Sequence, residues 1–290
     1  MIHSRFIFVG TSQFAVPAME KLIENNYSIS IVVTATDKPA GRKQELAPPP
    51  VKQAALKHNL PILQPEKISA VSPEISKLKP NLLIVAAYGR LIPKNILDIP
   101  RFGCLNLHPS LLPEYRGPSP IQTAILNGDK TSGVTVMLLD EKIDHGPIIS
   151  QKKIAITPDE NYQTLEKKLA VAAADCLIEI LPRYLQGKIK PQKQNESRAS
   201  YTKLLTRQDG QINWKQNARE IERKIRAFHP WPGAWTYFNK KRVKILKARA
   251  VKKEDDAVMR AGKDYLLLEI VQPQGKKPMT GEEFFRGLRS

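Results

Sequence analysis

Two stretches of the chain are apolar without interruption, Phe6-Ile7-Phe8-Val9 and Leu82-Leu83-Ile84-Val85-Ala86-Ala87. A strand with no polar residue at alternate positions is covered on both faces, as in a parallel sheet. The first run ends at Gly10-Thr11-Ser12, where Ser12 is a residue type that caps a helix, here predicted to reach about residue 25. A strand over 28–34, a helix over 51–58, a short strand over 61–63 and a helix over 73–78 follow. After the second apolar run, Cys104-Leu105-Asn106-Leu107-His108 alternates as a short strand. Pro109 ends it, because proline has no ladder donor and biases His108 toward extended geometry. A helix over 118–126 with proline in its first turn comes next, then strands over 131–139 and 148–156, and a long helix over 161–185 bent at Pro182. Strands alternating with helices in this order predict an α/β fold built on a mostly parallel, Rossmann-like sheet.

Two stretches have no period. Residues 35–50 carry prolines near both ends and Gly41 between them, which predicts a long loop rather than an element, and loops of this length in compact domains tend to be functional. Residues 186–197 read as a linker. Beyond it lie an amphipathic helix over 218–227 and short strands over 235–238, 243–248 and 265–271, which suggest a small β-barrel. The predicted organisation is a first domain over 1–186, a linker over 187–200 and a second domain over 201–290.

Charge separates the same two parts. The 290 residues carry 46 Lys and Arg against 28 Asp and Glu, a net charge of +18. From Gly187 on there are 25 basic and 11 acidic residues, against 21 and 17 before it, so the excess belongs to the last third. That asymmetry points to a polyanionic partner, with a lysine-rich solvated surface as the plain alternative. The only two cysteines, Cys104 and Cys176, sit in apolar surroundings without metal-ligand spacing and read as core residues of a reduced, cytoplasmic protein. No secretory leader precedes the first strand and no apolar span has membrane length. Gly10 is the only glycine of the first turn, so the G-x-G-x-x-G pattern by which backbone approaches a pyrophosphate is missing, which argues against NAD or FAD.

Asn106 and His108 are two apart in a strand and project from one face, an amide beside a titratable base. His108 stands at the carboxyl end, where open α/β sheets place their ligands. Taken alone, a histidine before a proline is as well explained as a satisfied strand end. The run Asn106-x-His108, then Ser110-Leu111-Leu112-Pro113 and Arg116-Gly117, then Asp140-x-x-x-Asp144-x-Gly146, resembles the folate-dependent formyltransferases, and within them the members that act on methionyl initiator tRNA. The resemblance runs from Arg5 to about Phe238, with a fainter continuation that includes Pro230-Trp231-Pro232-Gly233-Ala234-Trp235.

The resemblance implies an enzyme that moves the formyl group of 10-formyltetrahydrofolate, without a metal, and a second domain that is OB-like. Asn106, His108 and Asp144 would be catalytic: an amide donor for the oxyanion, a proton acceptor near neutrality and a carboxylate that orients it. Ala87, Tyr88, Gly89, Leu91 and Ile92, with Ser110, Leu111, Leu112 and Pro113, would line the folate site. Lys38, Arg42 and Lys43 in the 35–50 loop would contact the tRNA, and Arg116 would hold a substrate phosphate or anchor its loop. The partners implied are initiator methionyl-tRNA and the folate, no membrane, and a monomer. Residues 251–264 are shorter than in relatives, so the barrel is expected to be truncated or open. An amino-sugar nucleotide formyltransferase would use the same three residues but has no reason for the charge. A noncatalytic RNA-binding protein explains the charge but leaves the three residues without purpose.

Overall fold

The computed structural model describes residues 5–41, 44–252 and 257–289. They form two compact units, one of residues up to Pro118 with Ser132–Ala155 and Glu166–Thr202, the other of Ser119–Thr131, Ile156–Leu165 and the residues from Lys203 on.

The first unit is organised by β1 (Arg5–Gly10), whose Phe6, Ile7, Phe8 and Val9 are all fully buried. Apolar side chains on both faces require cover on both faces. In chain order there follow α1 (Val16–Glu24), β2 (Ser28–Val33), the hairpin of β3 (Lys38–Ala40) and β4 (Glu45–Ala47), α2 (Pro50–Lys57), β5 (Ile62–Leu63), α3 (Ser72–Lys77), β6 (Leu82–Ala86), α4 (Lys94–Leu97) and β7 (Cys104–His108). After α5 (Pro120–Asn127), strands β8 (Thr131–Leu138) and β9 (Ile148–Ala155) lead into α6 (Tyr162–Leu185), which continues through Pro182. The sheet order is β5-β2-β1-β6-β7-β8-β9, parallel from β2 through β7, with β8 antiparallel to β7. The strand order reverses at β1, which lies between β2 and β6. Such a switch point opens a crevice beyond the carboxyl ends of the strands. Gly10 closes β1 there because a Cβ would sit 2.9 Å from both the Ala86 carbonyl and the Ala15 Cβ. Close packing of strand and helix, rather than a nucleotide, explains that glycine.

Two local expectations change. Ser12 makes no capping bond: a single 3-10 turn, Gln13–Ala15, precedes α1, and α1 carries in its first turn Pro17, which needs no amide partner. The 35–50 loop is not devoid of structure, since Lys38 pairs with Ala47, Pro39 with Leu46 and Ala40 with Glu45. Its base is fixed by Asp37, whose carboxylate accepts from Gln64 at 2.8 Å and from Lys52 at 2.7 and 2.8 Å. These donors hold the Asp37 carboxyl below its ordinary range, Gln64 contributing most.

In the second unit, α7 (Ala218–Ala227) starts with a capping box in which Asn217 accepts from the Glu220 amide at 2.9 Å and Glu220 reaches back to the Asn217 amide. It packs on β10 (Ala234–Phe238), β11 (Lys241–Val251), β12 (Val258–Ala261) and β13 (Asp264–Pro273), joined by β14 (Met279–Thr280) and α8 (Gly281–Arg289). The sheet order β10-β11-β13-β12, with β14 on β13, is an open antiparallel sheet and not a closed barrel. Residues 258–261, from which no strand was expected, supply β12, paired to β13 across a two-residue turn at Gly262-Lys263. Ile221, Ile225, Val243, Ile245, Leu266, Leu268 and Phe284 form its core. Trp214 and Phe238 pack against that core and Trp235 is buried, whereas Trp231 and Tyr237 are half exposed.

Candidate active site

Strand β7 carries Asn106 and His108 on one face while Leu105 and Leu107 are buried on the other. The loop after β8 brings Asp144 to the same place. Its backbone is left-handed, φ 46°, a conformation that costs a non-glycine residue about 1 kcal/mol or more and persists only where neighbours hold it. The neighbours are visible. Gln194 donates from its amide nitrogen to the carbonyls of both Asp144 and Gly146, each at 2.8 Å. The Asp144 carboxylate accepts the Gly117 amide at 2.8 Å and the Asn106 amide at 3.4 Å.

His108 is 4% exposed. Its Nε2 lies 2.9 Å from the Tyr115 carbonyl, which can only accept, so Nε2 carries the hydrogen. Its Nδ1 then faces Asp144 Oδ2 at 3.6 Å with a lone pair, or with a proton between them. The site therefore holds an amide donor and a ring–carboxylate pair with room for one proton.

The loop after β7 is braced from below. Thr135 on β8 accepts from the Leu112 amide at 3.1 Å and donates to the Ser110 carbonyl at 2.7 Å, and Gln151 on β9 donates to the Leu112 carbonyl at 2.8 Å. The Ser110 hydroxyl donates to the Glu114 carbonyl, so it serves the loop's own shape. Leu112 is buried, Leu111 and Pro113 half-buried. Just after β6, the strand next to β7, Ala87 and Gly89 are exposed with left-handed backbones, φ 43° and 78°, so this segment offers a ligand backbone more than side chain. Tyr88 and Ile92 are buried, and burial raises the Tyr88 hydroxyl above its ordinary value. Leu91 points outward at 62% exposure and stands apart from the others. Lys38 is exposed on β3, while Arg42 and Lys43 lie outside the described residues.

Arg116 is the residue the sequence left open between two roles, and its surroundings assign the structural one. Its side chain is fully buried. The guanidinium donates to Gln194 Oε1 at 2.8 and 3.1 Å, to both Glu196 oxygens at 2.6 and 3.0 Å and to the Tyr201 hydroxyl at 3.0 Å. The same contact to Arg116 holds the Glu196 carboxyl below its usual range. With its donors committed, Arg116 is an anchor that ties the loop to residues 194–201. Backbone pairing adds to it: the Arg116 amide donates to the Ser200 carbonyl and the Thr202 amide to the Arg116 carbonyl. Gln194, Glu196 and Tyr201 were invisible in the sequence because they sit in a stretch without apolar period, some 80 residues from the arginine.

Among the described residues no group of three or more His, Cys, Asp or Glu could hold a metal ion, and no helix is long and apolar enough to cross a membrane.

Comparison with known proteins adds to this geometry. The family model described as formyl transferase matches residues 4–181, and that of the formyl transferase C-terminal domain matches residues 204–289. The methionyl-tRNA formyltransferase of Bacillus subtilis (strain 168) is 42% identical over 98% of this chain and 95% of its own length. That of Chloroflexus aurantiacus (strain ATCC 29366 / DSM 635 / J-10-fl) is 42% identical over 99% and 97%. Among solved structures, the N-formyltransferase from Helicobacter canadensis, in complex with folinic acid and dTDP-3-aminofucose, aligns over 91% of this chain and 99% of its own, with 20% identity and a TM-score of 0.70. HypX from Aquifex aeolicus, in complex with tetrahydrofolic acid, aligns over 97% of this chain and 47% of its own at 17% identity and a TM-score of 0.69. The structural likenesses establish the fold, the sequence relatives establish more, and the chain belongs to the formyl transferase family, alongside the methionyl-tRNA formyltransferases.

Proposed function

We propose that this chain transfers the formyl group of 10-formyltetrahydrofolate to the α-amino group of methionyl initiator tRNA, in the cytoplasm and as a monomer, and so supplies the first aminoacyl-tRNA of translation. The observation that carries the reading is the convergence of Asn106, His108 and Asp144 at the end of β7 in a chain 42% identical to methionyl-tRNA formyltransferases over nearly its whole length. The excess of basic residues after Gly187 supports an RNA acceptor over an amino-sugar nucleotide. In this reading the first unit does the chemistry and the second, with Lys38, Arg42 and Lys43 of the 35–50 segment, engages the tRNA. Ser110, Leu111, Leu112 and Pro113 on one side, and Ala87, Tyr88, Gly89 and Ile92 on the other, border the folate; the exposed Leu91 stands at its outer rim.

The reaction asks two things of the site. When the amine nitrogen attacks the formyl carbon, a C–N bond forms and the carbonyl electron pair moves to oxygen, so an oxyanion must be held. Asn106 is the donor at hand: its bond to Asp144 is long at 3.4 Å and is readily exchanged for a charged oxygen. A single such donor contributes roughly 10²–10³ in rate. The attacking nitrogen must also lose a proton. Because the Tyr115 carbonyl keeps the ring hydrogen on Nε2, the proton is received at Nδ1 and rests between the ring and Asp144 Oδ2. Collapse of the intermediate breaks the bond from carbon to N10, and a proton returned from the pair completes tetrahydrofolate.

The test offers labelled 10-formyltetrahydrofolate to the protein with charged initiator tRNA, charged elongator methionyl-tRNA and an amino-sugar nucleotide as separate acceptors. Transfer to the initiator alone supports the proposal. Transfer only to the sugar nucleotide contradicts the acceptor and leaves the chemistry.

A further inference from the structure

Helix α7 presents Arg219, Glu222, Arg223 and Arg226 at spacings that place all four on one face. That face lines a cavity of about 270 Å³ within the second unit, whose other walls are the turn after α5, with Asp129 and Lys130, and residues 156–158. Four cations and two carboxylates thus border one space.

Most of this positive charge is left without a carboxylate partner among the described residues; of the four cations only Arg226 has one, in a loose ion pair with Glu222. Lys130 and Arg219 are exposed and have no side-chain hydrogen bond or ion pair among the described residues. Arg223 donates to the Asn127 carbonyl at 3.3 Å and Arg226 to the Glu160 carbonyl at 2.6 Å, acceptors without net charge. Glu222 gives one oxygen to the Ala250 amide at 2.9 Å, and its other oxygen stands 3.9 Å from Arg226 Nε, beyond hydrogen-bond range. The Nε atoms of Arg223 and Arg226 are buried without a hydrogen-bond partner. Those enclosed Nε atoms add cost rather than contact, but each guanidinium makes only one side-chain hydrogen bond among the described residues, so most of its other donors stay uncommitted on this face. Gly128 makes the arrangement possible. It is left-handed, φ 74°, and any side chain there would collide with the Arg223 guanidinium that lies across the turn.

We propose that this cavity is a binding site for a phosphoryl group, gripped by Arg223 and Arg226 with Lys130 and Arg219 at its open side. Guanidinium forks match phosphate oxygens in geometry and charge. The space exceeds one phosphoryl group, leaving room for what carries it. On the function proposed above, the carrier is the sugar–phosphate backbone of the tRNA; that choice of source rests on that reading, while the site itself does not. A free phosphate or small phosphorylated metabolite is the other source.

The experiment uses the full chain and the double variant Lys130→Gln/Arg219→Gln, both positions being exposed so that the fold is spared. Arginine Nε–H resonances of the ¹⁵N-labelled protein are followed while inorganic phosphate replaces chloride at constant ionic strength. Initiator tRNA binding is measured in parallel over a range of salt. The wild type should show saturable shifts at two half-buried arginines, assigned through Arg223→Lys and Arg226→Lys, and the double variant should bind phosphate roughly tenfold or more weakly. If the carrier is RNA, the slope of log K against log salt falls by about two in the double variant. Phosphate binding with an unchanged tRNA slope upholds the site and assigns it to a small phosphate. Phosphate binding in a protein that binds no tRNA upholds the site and removes the proposed function. Absence of phosphate binding overturns the proposal, and does so even if the tRNA slope falls, since that would be diffuse surface charge.

Discussion

Replacing Gln194 with glutamate isolates the contact that holds Asp144 in its left-handed conformation. The glutamine does two jobs through two atoms: Oε1 accepts from Arg116, and Nε2 donates at 2.8 Å to the Asp144 and Gly146 carbonyls. Glutamate keeps the first and reverses the second, setting an anionic oxygen against two carbonyls. Two lost hydrogen bonds cost about 1 kcal/mol each, and the repulsion adds to this, whereas a stronger bond to Arg116 offsets part. A net local cost of roughly 2 kcal/mol is comparable to the strain stored at a left-handed aspartate, so the loop is expected to relax. The Asp144 carboxylate would then be held only through its own contacts to Gly117, Asn106 and His108, with its backbone released. A displacement of about 1 Å at a reacting group costs on the order of 10² in rate. The assay is single-turnover formyl transfer with both substrates saturating, alongside tRNA affinity and a pH–rate profile. The expected result is a rate about 100-fold lower, unchanged tRNA affinity and an altered profile. A Gln194→Glu protein of normal rate and profile would refute the argument that residues 194–196 position the site.

Two further outcomes follow from burial and charge. Cys104 and Cys176 are both buried, and burial, with a smaller contribution from Asp98, pushes the Cys104 thiol up to about 12. Alkylation by iodoacetamide at mild alkaline pH should therefore leave both native thiols unmodified and label both in denaturant; rapid labelling of the folded protein would contradict their placement. Asp209 is held down to about 2, first by the Lys203 ammonium and then by the Thr206 amide. A depressed carboxyl contributes stability that is fully present above its ordinary value of 3.8 and is lost as the pH falls toward 2. Lys203 is 72% exposed, so screening limits the contribution to about 1 kcal/mol. Asp209→Asn should lower Tm by a few degrees at neutral pH, about 2–4 °C, with the difference from wild type shrinking below pH 4; a difference that grows on acidification would reverse the sign.

What the sequence made legible was whatever local pattern controls. The apolar runs of β1 and β6 could only be strands covered on both faces, and the period-two alternation before Pro109 placed Asn106 and His108 together. The amphipathic run over 218–227 placed α7 at the residues observed. What stayed hidden depends on contacts distant in sequence. Gln194, Glu196 and Tyr201 have no apolar period, and their reason for being where they are is a guanidinium some 80 residues earlier. Strand β12 is only four residues long and is recruited by the edge of β13. Helix α8 is defined by Phe284 and Phe285, which meet Phe238 at ring separations of 5.1 and 6.1 Å. The hairpin of β3 and β4 is invisible to pattern because Leu46 in it is 71% exposed and only backbone pairing defines it.

The central claim is that His108, set by Tyr115 and paired with Asp144, takes the proton that formyl transfer releases. Its most direct test is the single-turnover rate of formyl transfer to charged initiator tRNA by His108→Ala, with folate and tRNA affinities measured separately. The account predicts a rate lower by roughly 10²–10⁴ with both affinities retained. Transfer at close to the wild-type rate would remove His108 from the chemistry and with it the mechanism described for this site.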